Sequence, residues 1–465
     1  MNRMRRTGGA IVVGLVAVGC ASGPIHGSAN ASSAVVASGS GVVSPSAVMS
    51  PSEVGPSPPP PGAGADSALA LANDHWSTLP AAPIPIRASA AGVWTGKQFI
   101  VWGGATGKND DEVKGDGAAY DPSAHRWTVL PPAPISARTG MASLWTGSDL
   151  FVWGGEDSVS DPGHAVNDGA LYDPASAKWK KLPPSPLSAR AYATAIWLDG
   201  KVIVMGGQPV PTTNTQGQFT DLATYDPTTN AWSKLAPMPL STSHVLLGLV
   251  AVAVGDRVYA WQLWQQVVPD PVASGESGGE SISSGIYLDI FDPARNAWTA
   301  DPSASRSVDG SDRNNAPPGI ERAVSTGTDI VVPAAQPFCG CPGPWVPGQQ
   351  GRLLDIAANT WTLLPRGPVD DLEPNVVYTG DTMLAFDTTA STSGPDGNHF
   401  PGEAAVWDPM FDRWTSLPAA PLSSGGNAVA VWAGDRLLEW GPFSLPTAPN
   451  AGEAPSSTGG LSFGP

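Results

Sequence analysis

The stretch "YDPASAKW", residues 172 to 179, recurs as "YDPSAHRW" from 120, "YDPTTNAW" from 225, "FDPARNAW" from 291 and "WDPMFDRW" from 407, with a fainter "LDIAANTW" from 354. The closing tryptophans, Trp127, Trp179, Trp232, Trp298, Trp361 and Trp414, lie 52 to 66 residues apart. A period of about 50 residues marks repeated supersecondary units, none of which can bury its own faces alone. Within the phrase, Asp can hydrogen-bond the backbone ahead of it and Pro presets the first central dihedral of a turn. The two aromatic ends therefore flank a fixed turn and can fill the wedge between one sheet and the next.

Upstream of most phrases lies a second echo, "VWTGKQFIVWGG" from 93, "LWTGSDLFVWGG" from 144, "IWLDGKVIVMGG" from 196 and "VWAGDRLLEWGP" from 431. Each reads as a hairpin of two apolar strands around a Gly turn. A variable loop, a short strand ending in Tyr-Asp-Pro and a last strand at the Trp complete four strands per unit. The Gly pairs at 103–104, 154–155 and 206–207 fit positive φ or close backbone approach.

A hydrophobic strand, Gly-Gly, then Tyr and Trp around a turn resembles the kelch repeat, which implies an all-β, kelch-type β-propeller over residues 71–465. Units four to six depart, with "VYAWQLW", "IVVPAAQ" and "LAFDTTA" where Gly-Gly would stand. "NDHWSTLPAAP" near Trp76 looks like a last strand without a hairpin, and the terminal "LSFGP" overlays "ALYDP" without a following Trp. Seven blades are expected, with the N-terminal strand completing the C-terminal blade and so removing exposed edges. A six-bladed ring and an unrelated β-sandwich are the alternatives.

Residues 1–19 read as a signal peptide: Arg3, Arg5 and Arg6 precede an apolar run too short to span a bilayer. Cys20 follows small residues as in a bacterial lipobox, a resemblance that implies lipid attachment there; a plainly cleaved signal is the alternative. Residues 20–70, rich in Ala, Ser, Gly and Pro, are expected to be a tether. The formal charge of −17 argues against nucleic acid and against membrane contact other than through the lipid anchor. Cys339 and Cys341 suggest a disulfide in an oxidising compartment. Two free thiols, or a half-filled metal site, remain open for that pair.

The length variation falls in the loops between strands two and three of each unit: 105–116, 157–168, 208–221, 265–285, 335–350, 388–403 and 442–458. Variable insertions on one face of a rigid scaffold mark a binding face, or merely a place where insertions are tolerated. Arg87, Arg138 and Arg190 share one position, seven residues before the first strand's Trp; Leu246, Pro318, Asp371 and Gly425 stand there in the other units. In some kelch propellers an Arg here reaches a central pocket, so the resemblance implies an arc for carboxylates. The plainer reading is that each Arg bonds carbonyls or acids of a neighbouring blade. Glu321 and Arg322 are further channel candidates, or an interblade salt bridge. Trp264 and Trp345, placed in long loops, suit sugar stacking or loop pinning, and the acidic loop 107–117 lacks calcium-loop spacing.

No hydrolase, zinc-protease or phosphate-loop motif occurs, no Tyr is followed by His, and the six histidines are scattered. No cofactor or metal is expected. The function expected is an extracytoplasmic, lipid-anchored binding module for an anionic glycan, peptide or protein partner on the long-loop face. The alternative is an enzyme on carboxylated sugars, similar to the kelch-type sialic acid mutarotases, with Glu321 as acid or base.

Overall fold

The computed structural model describes residues 68, 71–106, 112–158, 163–210, 217–269, 280–308, 323–333, 351–365, 367, 375–386, 404–420, 423–424, 428–441, 443–444 and 459–465. Its body is seven four-stranded antiparallel sheets. Six follow chain order. In blade one, for instance, Ala91–Trp94, Phe99–Trp102, Gly117–Asp121 and Arg126–Val129 pair in sequence. The seventh joins Val429–Trp432, Leu437–Trp440 and Gly460–Gly464 to His75–Thr78. The innermost strands of successive blades touch all the way round, and that of blade seven touches that of blade one. The expected closure is therefore present, and the edges of an open array are covered.

The repeated phrase builds each blade in the same way. Tyr120 pairs with Trp127, Tyr172 with Trp179, Tyr225 with Trp232, Phe291 with Trp298, Leu354 with Trp361 and Trp407 with Trp414. In the closing blade Phe463 pairs with Trp76, its ring 5.0 Å away, so the overlay of "LSFGP" on "ALYDP" holds in register. Asp121 Oδ1 accepts from the amides of Ser123 and Ala124 at 3.0 and 3.2 Å, fixing the turn as its sequence predicts.

Blades are stapled through the tryptophan nitrogen. Trp127 donates to the Pro80 carbonyl at 2.9 Å, Trp179 to Pro131 at 2.9 Å, Trp414 to Pro365 at 2.8 Å and Trp76 to Pro418 at 2.8 Å. Each acceptor lies just past the last strand of the preceding blade. Trp361 Nε1 is buried without a partner. The last strand of the preceding blade four, Ala297–Val308, is longer than the last strands of the other blades.

Antiparallel order places the turns between strands one and two and between strands three and four on one face. The two-to-three loops and the blade connections share the other. Blade four departs from expectation here: Arg257–Pro269 and Glu280–Asp292 stay paired out to Pro269 opposite Glu280, so the described residues of 265–285 are paired strand rather than loop. Apolar clusters fill the wedges, as between blades one and two, where Ile100, Trp102, Met141, Leu150 and Val152 meet.

Candidate functional site

The long-loop face begins at the Gly pairs, which follow the second strand in blades one and two and lie just inside its end in blade three. Gly103 and Gly104 have φ of +71° and +93°, and a Cβ on Gly104 would sit 2.6 Å from the Ala88 carbonyl oxygen. The Gly104 amide donates to the Arg138 carbonyl, and the Gly155 amide to the Arg190 carbonyl, each at 2.9 Å. Thus the Gly pair of one blade holds the main chain of the next blade at its arginine.

The arginine side chains turn back into their own blades. Arg138 Nη1 donates to the carbonyls of Gly154 and Asp168 at 3.2 and 3.0 Å; Nη2 donates to Ser136 Oγ at 3.0 Å and Asp168 Oδ1 at 2.8 Å; Nε donates to the Ser136 carbonyl. Arg190 repeats the set with Ser188, Gly206 and Asp221. Its ion pair with Asp221 is 2.8 Å long but its N–H is not aligned on that oxygen, and its guanidinium lies 4.1 Å from the Phe219 ring centre. Arg87 bonds the carbonyls of Pro85, Gly103 and Asp116 and reaches Asp116 Oδ1 at 2.6 Å. Its Nη2 has no partner, because Pro85 stands where Ser136 and Ser188 supply a hydroxyl.

All three guanidinium groups are closed off from solvent. Their partners are acids and carbonyls of the same blade, not of a neighbouring one. The hydrogen bond from Arg87 holds Asp116 below the usual carboxylate range. Burial pushes the Asp168 carboxyl up, but Arg138 and Lys181 outweigh it and the net shift is downward. The arc therefore exists as an arc of paired ions, and a carboxylate ligand would have to displace Asp116, Asp168 and Asp221 to reach it. The recurring Asp before the third strand, in "GDGAAY", "NDGALY" and "TDLATY", was the sequence signal of these partners.

At the seam of blades two and three the structure brings together residues the sequence did not single out. Glu156, directly after Gly155, bridges to Thr139 by main-chain hydrogen bonds of 3.0 Å in both directions. Its Oε1 accepts from the Tyr192 hydroxyl at 3.0 Å. Burial raises the Glu156 carboxyl, and only the Tyr192 hydrogen bond opposes the shift. Beside it Asp157 and His164 Nδ1 lie 2.6 Å apart.

Trp264 lies within a strand of blade four, buried under the His244 ring, which stacks on it at 3.9 Å and 6°. Its face is thus covered by protein. In the acidic loop, Lys114 pairs with Glu112 at 2.8 Å. Cys20, Glu321, Arg322, Cys339, Cys341 and Trp345 lie outside the described residues, as do residues 107–111 of the acidic loop. Among the described residues no group of three or more His, Cys, Asp or Glu could hold a metal ion.

Comparison with known proteins matches residues 69–263 to the KLHDC2/KLHL20/DRC7 Kelch-repeats domain. That stretch covers the closing strand, blades one to three and the first hairpin of blade four. The chain is 23% identical over 224 residues to kelch repeat and BTB domain-containing protein 12 of Danio rerio, covering 44% of this chain and 34% of that protein. It is 27% identical over 234 residues to F-box/kelch-repeat protein At1g22040 of Arabidopsis thaliana, covering 40% and 46% respectively. It is also 30% identical over 171 residues to an N-acetylneuraminate epimerase of Haemophilus influenzae, covering 35% and 42%. The matches span less than half the length of each of these relatives. The matched repeats, the Gly pairs, the Tyr–Trp register and the ring of seven four-stranded blades together identify the chain as a kelch-repeat β-propeller.

Proposed function

We propose that the chain is an exported interaction module, held to the bacterial cell envelope through lipid on Cys20, whose rigid ring offers its long-loop face to a protein partner without performing chemistry. The observation that carries this reading is the contrast between faces. Short, stereotyped turns close one side, while the described ends of the second and third strands, between which the sequence varies in length, lie at the other. Rigid scaffolds with variable loops are how propellers acquire partners. Two of the kelch proteins it resembles carry BTB or F-box beside kelch repeat in their names. An anionic peptide or glycan on this face would depend on the arginine arc opening.

A photoreactive residue placed at Ser158 on the long-loop face, or at Ser176 in an exposed turn of the opposite face, tests the reading in the producing cell. Adducts to one protein from position 158 and none from 176 are expected; adducts from 176 alone would overturn it. Labelling with a fatty-acid analogue, lost in Cys20→Ser, tests the anchor.

A second reading, an enzyme on carboxylated sugars, is favoured by the likeness to N-acetylneuraminate epimerase. Accelerated anomer exchange of N-acetylneuraminate, followed by proton NMR, would favour it over the binding module.

A further inference from the structure

The seam between blades two and three holds an acid that the three arginine struts do not account for. Glu156 is only 8% exposed. Asp116, Asp168 and Asp221 each sit against an arginine, but Glu156 has no cation beside it among the described residues. His164, on the strand paired with its own, is held by Asp157. A buried carboxylate without a counter-charge is costly, and native proteins retain such groups where something else supplies the charge.

The surroundings hold Glu156 in place rather than neutralise it. Tyr192 takes φ of +57°, a region bulky residues avoid, and this puts its hydroxyl on Glu156 Oε1. The Tyr192 ring lies over Gly140, where a Cβ would come within 2.8 Å of it, so the glycine makes room for the ring. Gly163 lies beside the other oxygen without bringing a side chain against it, since a Cβ there would lie 3.4 Å from Glu156 Oε2. One oxygen is therefore fixed by a phenol, and the second lies beside a glycine that brings no side chain against it.

We propose that Glu156, positioned by Tyr192 at the top of the seam between blades two and three, receives a cationic group of the partner, the ammonium of a lysine or the guanidinium of an arginine. The inference rests on the partner-binding reading above and names the chemistry of the partner's contact. An ammonium or guanidinium donates to Oε2, and the Tyr192 hydroxyl keeps Oε1 satisfied while it does so. The arginine arc is closed by its own acids, whereas Glu156 has no cation beside it among the described residues and so can take a ligand's positive charge. The net charge of −17 attracts a basic partner over distance.

The test is calorimetric titration of the full chain with hexalysine at physiological salt, beside its fully acetylated form. Glu156→Gln keeps an acceptor for Tyr192, and its melting temperature confirms the fold. Asp256→Asn removes one charge from an exposed turn on the opposite face as a control for general attraction. Binding of hexalysine that falls at least fivefold in Glu156→Gln, and less than twofold in Asp256→Asn, is expected. Equal loss in both variants, or no loss in either, overturns the inference, as does preference for the acetylated peptide. A display selection on the same chain separates the two readings. Peptides that bind the long-loop face with undiminished affinity in Glu156→Gln would sink the cationic contact and leave the interaction module standing. Failure of both hexalysine and the selection would sink both.

Discussion

At the scale of single residues, the repeat shows what each position requires by comparing its copies. The residue two before the closing Trp has positive φ in six blades: His125, Ala177, Asn230, Asn296, Asn359 and Asp412. Asn and Asp tolerate that region; Ala does not, at about 1–2 kcal/mol. Asn230 Oδ1 also accepts from the Tyr225 hydroxyl at 2.9 Å, a partner Ala177 cannot give Tyr172. Ala177→Asn is expected to raise stability by about 1 kcal/mol in urea unfolding. The arginines allow a second comparison. Arg138→Ala strands the Asp168 carboxylate and three carbonyls and should cost about 3 kcal/mol, the low end for a broken buried pair, because Asp168 is partly open to solvent. Arg87→Ala should cost about 1 kcal/mol less, since Arg87 Nη2 already lacks a partner. The seven-residue offset of these arginines from the first-strand Trp was legible in the sequence. The direction of their side chains was not, because it depends on an acid some 30 residues later in the chain, brought back by the hairpin.

At the scale of elements, the blades of plain repeat sequence fold as their sequence reads, and blade four marks where reading fails. Its alternation of apolar residues continues through a stretch that also reads as loop, and pairing across Val267–Ile282 and Pro269–Glu280 decided the matter in favour of strand. The same blade turns a polar pair, Gln262 and Asp289, into the wedge facing blade three. Gln262 Nε2 donates to Asp289 Oδ2 at 2.5 Å. Burial pushes the Asp289 carboxyl up to about 6 from 3.8, opposed only by that hydrogen bond. An acid whose folded value is raised binds its proton more tightly in the fold. Its ionisation therefore weakens the fold above about pH 6, and the penalty fades as pH falls from 6 towards 4. Asp289→Asn removes the penalty and is expected to be more stable than the parent at pH 7 to 8, by up to about 3 kcal/mol. The gap should close by pH 4. Thermal unfolding across that range checks it, and a variant less stable than the parent at pH 8 would show that the ionised carboxylate is needed.

At the scale of the whole molecule, the ring is a device for holding seven sets of loops still, and its closure determines whether they share one rigid face. The chain enters blade seven at His75 from the short-turn face. The first and last strands of the propeller meet in one sheet, with Trp76 against Phe463 and Thr78 opposite Leu461. Ala68 and Leu71 pack with Leu384, Leu437 and Phe463 across blades six and seven. This clasp was readable from a phrase that begins without its hairpin and another that ends without its Trp, because a repeat states what is missing from each end. The most direct test is unfolding of the chain truncated after Gly459, which removes the strand between Leu437–Trp440 and His75–Thr78. Closure predicts that the whole ring loses stability together, with a melting transition lower by at least about 10 °C and broadened, since several kcal/mol of burial goes with that strand. A truncated chain that melts at the parent's temperature with the parent's sharpness would contradict the closed seven-bladed ring, and with it the single rigid face on which the proposed function depends.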